Sequence, residues 1–395
     1  MNLVVIVPDG MTDLPVKELD NKTPLQTANT RYIDFMLRNG ITGIVSTIPA
    51  NIEPGSDVAN LSILGINPKR IKIGRGALEA LAKNINIKKN ENVFRANFVC
   101  IKNNILVDYT GGNIKTSQAK KLINFLNKNF DSNIRFVSGV DYRNIAIIKN
   151  NKINIKTTPP HNIINKKIDK FLPQGKSAAL IREIMFKTYD ILSTHPLNKN
   201  KKNPANMMWL WGEGGLDGKI DSFYEKYKLK GAIISAVDII RGIGRLLKMD
   251  IINVPGITGD FRTNYKNKAI YTLKNLKKYD VIYVHIEAPD EAGHHGNWKE
   301  KVRAIERIDK QVVKPLLDSK EKFNILLLPD HPTPIIKRTH INSPVPFILY
   351  SKNNTLLPNH KFIKFNEYIL NNPPVIIKKG YTLLNWVLRY LDERN

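Results

Sequence analysis

The sequence predicts an α/β protein: a mixed, mostly parallel sheet flanked by helices, with a smaller α+β segment inserted into it. Three observations carry that prediction. Continuous β-branched runs such as Leu3–Val7 alternate with helical stretches, the pattern of strands covered on both faces. Between residues 88 and 221 the rhythm gives way to short strand-like runs and two helices, and it resumes afterwards. Three of the strongest apolar runs end in an aspartate, where open α/β sheets bind their ligands. A chain of 395 residues suits two domains, here a discontinuous core over 1–87 and 222–395 and an inserted cap over 88–221.

In order along the chain, Leu3–Val7 reads as a buried strand stopped by Pro8-Asp9-Gly10. Lys22–Leu37 reads as a turn and a helix closed by Gly40, and Gly43–Ile48 as a second strand. Pro54-Gly55-Ser56 then leads into a short helical pattern (Val58, Leu61, Leu64). Ser56 therefore lies at or next to a helix N-terminus, where unpaired N–H groups and the dipole favour an anion. Its commonest use there is as an N-cap. The insertion holds strand-like runs at Phe98–Ile101, Ile105–Val107 and Asn144–Ile148, with helices over Ser117–Asn127 and Ser177–Leu192. Beyond it come strands at Gly231–Ser235, Ile251–Val254, Tyr279–Ile286 and Phe323–Leu328. Helices cover Val237–Leu247, Asn267–Leu276, Trp298–Leu317 and Leu383–Leu391, and Pro346–Tyr350 reads as an edge strand.

Composition narrows the class. A hydrophobic share of 42% and a charged share of 24% are ordinary for a soluble protein, and no apolar run is long enough to span a bilayer. The single cysteine, Cys100, rules out a disulfide framework within the chain, and the cytoplasm is the expected location. The net charge of +26 is the feature that points to nucleic acid. The lysines are scattered among Asn and Ile, however, and no nucleic-acid recognition motif accompanies them. Residues 88–221 hold 23 Lys+Arg against 10 Asp+Glu, so the insertion is about twice as basic per residue as the rest. Such a surface suits an anionic small molecule.

The chemistry gathers at the strand ends. Leu3–Val7 runs into Asp9, Tyr279–Ile286 into Asp290, and Phe323–Leu328 into Asp330-His331. Asp290 and His294 stand four apart, one helical step, and His340 follows His331 by nine residues. A mixed Asp/His set suits Zn²⁺ or Mn²⁺, with Mg²⁺ at an oxygen-richer position. Two such sets suggest two metals, an arrangement that clamps the attacking and leaving oxygens of phosphoryl transfer. Ser56 then becomes a nucleophile, with the helix start as phosphate receptor.

Taken together, these motifs resemble the archaeal-type 2,3-bisphosphoglycerate-independent phosphoglycerate mutases of the alkaline phosphatase superfamily. The matching segments are Val7–Gly10, Pro54–Asn60, Gly74–Ala80, Phe94–Phe98, Val254–Gly259, His285–His294, Asp330–Pro334, Thr339-His340 and Pro344–Phe347. The resemblance implies an alkaline-phosphatase-like core with a cap, and interconversion of 2- and 3-phosphoglycerate through a phosphoserine at Ser56, without 2,3-bisphosphoglycerate as cofactor. It implies one metal on Asp9, Ser56, Asp330 and His331 and another on Asp290, His294 and His340. The chain has Asp108-Tyr109-Thr110-Gly111-Gly112-Asn113 where the family usually carries an arginine-rich Asp-Arg-Arg-Ala-Gly-Arg. Arg143, His161 and Arg241 are the candidate substrate contacts that remain. The alternative on the same core is a metal-dependent phosphatase or other phosphoryl-transfer hydrolase with a diverged substrate. From another class, a nucleic-acid binder would use the +26 but has no need of an intact ligand set.

Overall fold

The computed structural model describes residues 2–71, 73–88, 90–149, 153–215 and 220–393. Within them the strands, in chain order, begin with β1 (Leu3–Pro8), β2 (Ile41–Val45), β3 (Glu91–Lys102), β4 (Ile105–Asp108), β5 (Ile134–Val140), β6 (Arg143–Lys149) and β7 (Met207–Gly214). They continue with β8 (Gly231–Ile234), β9 (Asp250–Ile251), β10 (Val281–Ile286), β11 (Asn324–Leu327), β12 (Val345–Ser351) and β13 (Ile376–Ile377). The chain divides into two compact units, one made of Met1–Arg70 with Lys219–Asn395, the other of Ile71–Gly218.

The first unit is an eight-stranded sheet in the order β13-β2-β12-β11-β1-β10-β8-β9. β1 pairs in parallel with β10 on one side and β11 on the other, and β12 alone runs against the rest. Every residue of β1, β10 and β11 is buried, which is why these runs carry no polar alternation. Val4, Ile6, Val284 and Ile325 pack in one core with Ile33, Ala269, Ile305 and Ile308 of the helices Arg31–Arg38, Tyr265–Asn275 and Trp298–Ile308. The last of these passes through a π turn at Asp309–Val313 before Lys314–Asp318. That turn carries the buried Asp309, whose Oδ1 accepts the N–H groups of Tyr32 and Ile33 at 2.9 and 2.7 Å. It thereby serves the start of Arg31–Arg38 as a cap supplied from another element.

One strand departs from expectation. Pro346–Tyr350, read as an edge, belongs to β12, which lies inside the sheet between β11 and β2. Proline is tolerated because pairing with β11 begins only at Ile348, so Pro346 has no neighbour on that side to receive an N–H.

The second unit is a five-stranded antiparallel sheet in which β3 pairs β4, β6 and β7, and β6 pairs β5. Helices Thr116–Asn129 and Ala178–Ser193 cover it through a core that includes Phe94, Phe98, Leu122, Ile181 and Trp209. The unit starts at Ile71, ahead of the boundary read at 88, because helix Arg75–Ala82 packs Ala77 and Ala80 against Val93 of β3.

Candidate active site

The order β11-β1-β10 explains how three distant aspartates meet. The strands are parallel neighbours, so the residues following them, Asp330, Asp9 and Asp290, leave the same edge of the sheet. Gly10 makes the approach close enough. It sits at φ +61°, and a Cβ there would lie 2.6 Å from Thr333 Oγ1 and 2.8 Å from the Asp290 Cα. Its N–H donates to Asp330 Oδ1 at 3.1 Å.

β2 also runs parallel to β1, so the loop after it delivers Ser56 to that same edge. Gly55 takes the N-cap position of helix Ser56–Ile63, and Ser56 is its first helical residue. The hydroxyl is thus not used as a cap. Ser56 Oγ lies 3.1 Å from His331 Nε2 and 3.5 Å from Asp9 Oδ2. His331 Nε2 is in turn 3.5 Å from Asp9 Oδ1 and 3.4 Å from Asp330 Oδ2.

The second set forms on the short helix Ala288–His294, which turns Asp290 and His294 to one side. His294 Nε2 is 3.3 Å from Asp290 Oδ2, His340 Nε2 is 3.4 Å from Asp290 Oδ1, and the two imidazole nitrogens are 2.9 Å apart. Thr333 donates to Asp290 Oδ1 and lies 3.3 Å from His331 Nδ1, touching a member of each set.

Burial and charge decide what such a cluster can hold. Asp9, Asp290 and Asp330 are 0, 3 and 0% exposed. Burial and the neighbouring carboxylates of Asp330, Asp290 and Glu287 push Asp9 well above the usual carboxylate range. Burial acts the same way on Asp290, but hydrogen bonds to His294 and His340 prevail and hold it well below that range. The bond to Asp290 raises His294 to about 9. Asp9 Oδ1 accepts no hydrogen bond among the described residues. The nearby buried lysines are engaged elsewhere, Lys268 with the His285 carbonyl and Lys301 with Asp13. Buried carboxylates without cations are costly, and divalent ions fit this donor set. Its ligand atoms fall within 4.8 Å of one another in three overlapping groups: Asp290, His294, His340; Asp9, Asp290, His331; and Asp9, His285, Asp330.

His285 did not figure among the sequence candidates. Its Nε2 is 3.0 Å from Asp9 Oδ2, and burial pushes its pKa down to about 4, leaving a neutral imidazole against the carboxylate. Its place at the end of β10, paired in register with Val7, was the available signal.

The substrate candidates fall in both units. Arg241 lies in the first, with Nη2 3.2 Å from Asn253 Oδ1 and Nη1 3.4 Å from the Ser235 carbonyl. Arg143 and His161 lie in the second. The Arg143 guanidinium is 5.2 Å from the Tyr142 ring, and His161 packs edge-on to Tyr109 and Trp211. The same unit carries Arg95 on β3, opposite Trp211 of β7; Arg95 entered the sequence analysis only within the Phe94–Phe98 segment. Its guanidinium sits 4.1 Å over Trp211, with Nε 3.0 Å from Glu79. Burial lowers the His161 pKa, and the charges of Arg95 and Arg75 lower it further.

A buried anionic pocket around one serine, at the carboxyl edge of a parallel sheet, describes an α/β enzyme. Comparison with known proteins makes the class specific. A family model for 2,3-bisphosphoglycerate-independent phosphoglycerate mutase matches residues 38–198. The mutase of that name from Methanosarcina mazei is 38% identical over 399 residues, covering 98% of this chain and 100% of its own. One from Methanothermobacter thermautotrophicus is 43% identical over 357 residues, 88% of each chain. Among solved structures, a Pyrococcus horikoshii protein superposes with a TM-score of 0.82 at 26% identity, covering 99% of this chain and 97% of its own. The cofactor-independent phosphoglycerate mutase of Thermoplasma acidophilum gives 0.69 at 26% identity, covering 98% and 99%. The chain belongs to the family of 2,3-bisphosphoglycerate-independent phosphoglycerate mutases, which are isomerases.

Proposed function

We propose that the chain interconverts 2-phosphoglycerate and 3-phosphoglycerate, a glycolytic and gluconeogenic step, by way of a phosphoserine at Ser56. The observation that carries the reading is the Ser56 hydroxyl, set 3.1 Å from His331 and 3.5 Å from Asp9 at the first turn of a helix. Asp9, Ser56, Asp330 and His331 would hold one divalent ion and Asp290, His294 and His340 another, as Mn²⁺, Mg²⁺ or Zn²⁺. Held by those residues, such ions would neutralise the carboxylates and would favour the alkoxide form of serine. Ser56 Oγ gives up its proton to solvent and attacks phosphorus as the bond to one hydroxyl oxygen of glycerate breaks, and the leaving oxygen takes a proton back from solvent, so that none is gained or lost overall. The N–H groups at the start of Ser56–Ile63 receive the phosphoryl oxygens. After glycerate reorients, its other hydroxyl attacks the phosphoserine and Oγ departs. No 2,3-bisphosphoglycerate enters this cycle.

A substrate that must be retained while the enzyme carries its phosphoryl group needs a separate hold on its carboxylate. Arg143 and His161 are proposed for that role, joined by Arg95; Arg241 is proposed for the phosphate end. No described helix is long and apolar enough to cross a membrane, and a cytoplasmic enzyme acting on a small anion is the reading that fits. Conversion of 3-phosphoglycerate coupled to enolase, with Mn²⁺, Mg²⁺ or Zn²⁺ supplied, tests the proposal. Absence of turnover with every metal would refute it, and so would release of inorganic phosphate at the rate substrate disappears.

A further inference from the structure

Asn60 lies one helical turn beyond Ser56 and is completely buried. A buried amide needs partners on both sides, and the partners settle which way it faces. Its Nδ2 donates to two acceptors, the Ser56 carbonyl and Asp330 Oδ2, each at 2.8 Å. Its Oδ1 accepts from the phenol of Tyr283, a residue 0% exposed in the middle of β10. The orientation is therefore unambiguous, since flipping the amide would turn its oxygen toward a carbonyl and a carboxylate. Both amide hydrogens are used, and the tyrosine spends its only donor on holding the amide in place.

We infer that Asn60, braced by Tyr283, is the positioning residue that locks the nucleophile's helix to the Asp330 carboxylate. Asp330 Oδ1 already accepts the N–H groups of Gly10 and His331, at 3.1 and 2.9 Å. Oδ2 faces His331 Nε2 at 3.4 Å and accepts its closer contact, at 2.8 Å, from Asn60. Through the same amide, any rotation of Asp330 is felt at the main chain of Ser56, so carboxylate and hydroxyl keep one relative geometry. The inference rests on the reading that Asp9, Ser56, Asp330 and His331 hold a divalent ion, because carboxylate orientation then decides how well that ion binds.

Mn²⁺ titration of the metal-free full-length protein, followed by calorimetry and by the spin resonance of free Mn²⁺, tests it without reference to turnover. Asn60→Leu keeps the approximate shape and removes both donors. The expected result is a roughly 10- to 100-fold weaker Mn²⁺ site, with the second site unchanged within about two-fold. Tyr283→Phe removes one hydroxyl and leaves the fold intact; a weaker effect at the same site, about 2- to 10-fold, is expected. A purely structural Asn60 would lower the melting temperature of the metal-free protein and leave both Mn²⁺ affinities alone, which overturns the inference. Wild-type protein that binds no Mn²⁺ would remove the metal reading and the inference together. Wild-type binding at two sites, matched by both variants, would remove the inference alone.

Discussion

Lys301→Met tests whether the site loops depend on a single buried cation. Lys301 and Asp13 have wholly buried side chains, and Nζ stands 2.6 Å from Asp13 Oδ2. The same ammonium donates to the carbonyls of Thr333 at 2.8 Å and Thr12 at 3.3 Å. Asp13 in turn accepts the N–H groups of Leu14 at 2.8 Å and Ile335 at 3.1 Å. The pair thus fastens the loop after β1, which carries Asp9, to the loop after β11, which carries Asp330 and His331. Methionine retains the length of the side chain but leaves a buried carboxylate with no counter-charge. Removing one partner of a buried pair costs about 3–5 kcal/mol. For the first unit that corresponds to a drop of about 6–20 °C in melting temperature, at roughly 2–4 °C per kcal/mol. Urea unfolding read by intrinsic fluorescence measures it. Removing both charges, in Asp13→Leu with Lys301→Met, should recover part of the loss, because no orphaned ion remains. A loss under about 1 kcal/mol for the single variant, or a double variant as unstable as the single, would refute the reasoning.

Further outcomes follow from the same structure. Ser56→Ala should lower mutase turnover by at least roughly 10³-fold and abolish transfer of ³²P from phosphoglycerate to protein; residual labelling would displace Ser56 as acceptor. Chelation should leave a metal-free form that metal restores, and adding Mn²⁺ to that form at about 100 times its dissociation constant should stabilise it by roughly 2.7 kcal/mol per site; an unchanged melting curve would contradict the ligand sets. Burial raises the Asp309 carboxyl to about 6, against the opposing N–H groups of Ile33 and Tyr32. A carboxyl whose folded pKa is raised binds more protons folded than unfolded, so its contribution is full below about pH 4 and declines as pH rises toward 6. Asp309→Asn keeps the accepting Oδ1 and removes the titration, so the variant should gain up to roughly 3 kcal/mol on wild type between pH 4 and pH 7. A gap that does not change with pH would show that Asp309 does not titrate in this window.

Residues with a one-dimensional signature were readable in advance. An apolar run ending in Asp announces both a buried strand and a group at its carboxyl end, so Asp9, Asp290 and Asp330 stood out. What no local pattern encodes is that β1 lies between β10 and β11, both of which come hundreds of residues after it in the chain. Pro346 misled because its missing N–H signals an edge, whereas here the adjacent strand simply ends short of it. Ile134–Val140 and Met207–Gly214 escaped notice as strands because Ser138-Gly139 and Gly212 interrupt their apolar character. Asn60 and His285 were hidden differently. Each lies inside a recognised segment, but its importance comes from what another element presents to it. In the insertion, Arg143 was selected by residue type, while Arg95 is drawn in by Trp211 and Glu79, contacts that only the paired β3 and β7 create.

The discontinuity of the sheet also has a consequence for how the protein is made. The second unit is contiguous, so all its strands have been synthesised by Gly214. β1 must wait for Val281–Ile286 and Asn324–Leu327, its two flanking partners. At about 5–20 residues per second, the most apolar strand of the nascent chain stays unpaired for on the order of 15–60 s. During that interval the Leu3–Val7 segment is a natural client for chaperones. Any change that slows translation across the insertion lengthens its exposure and raises the chance of aggregation before the catalytic edge can form.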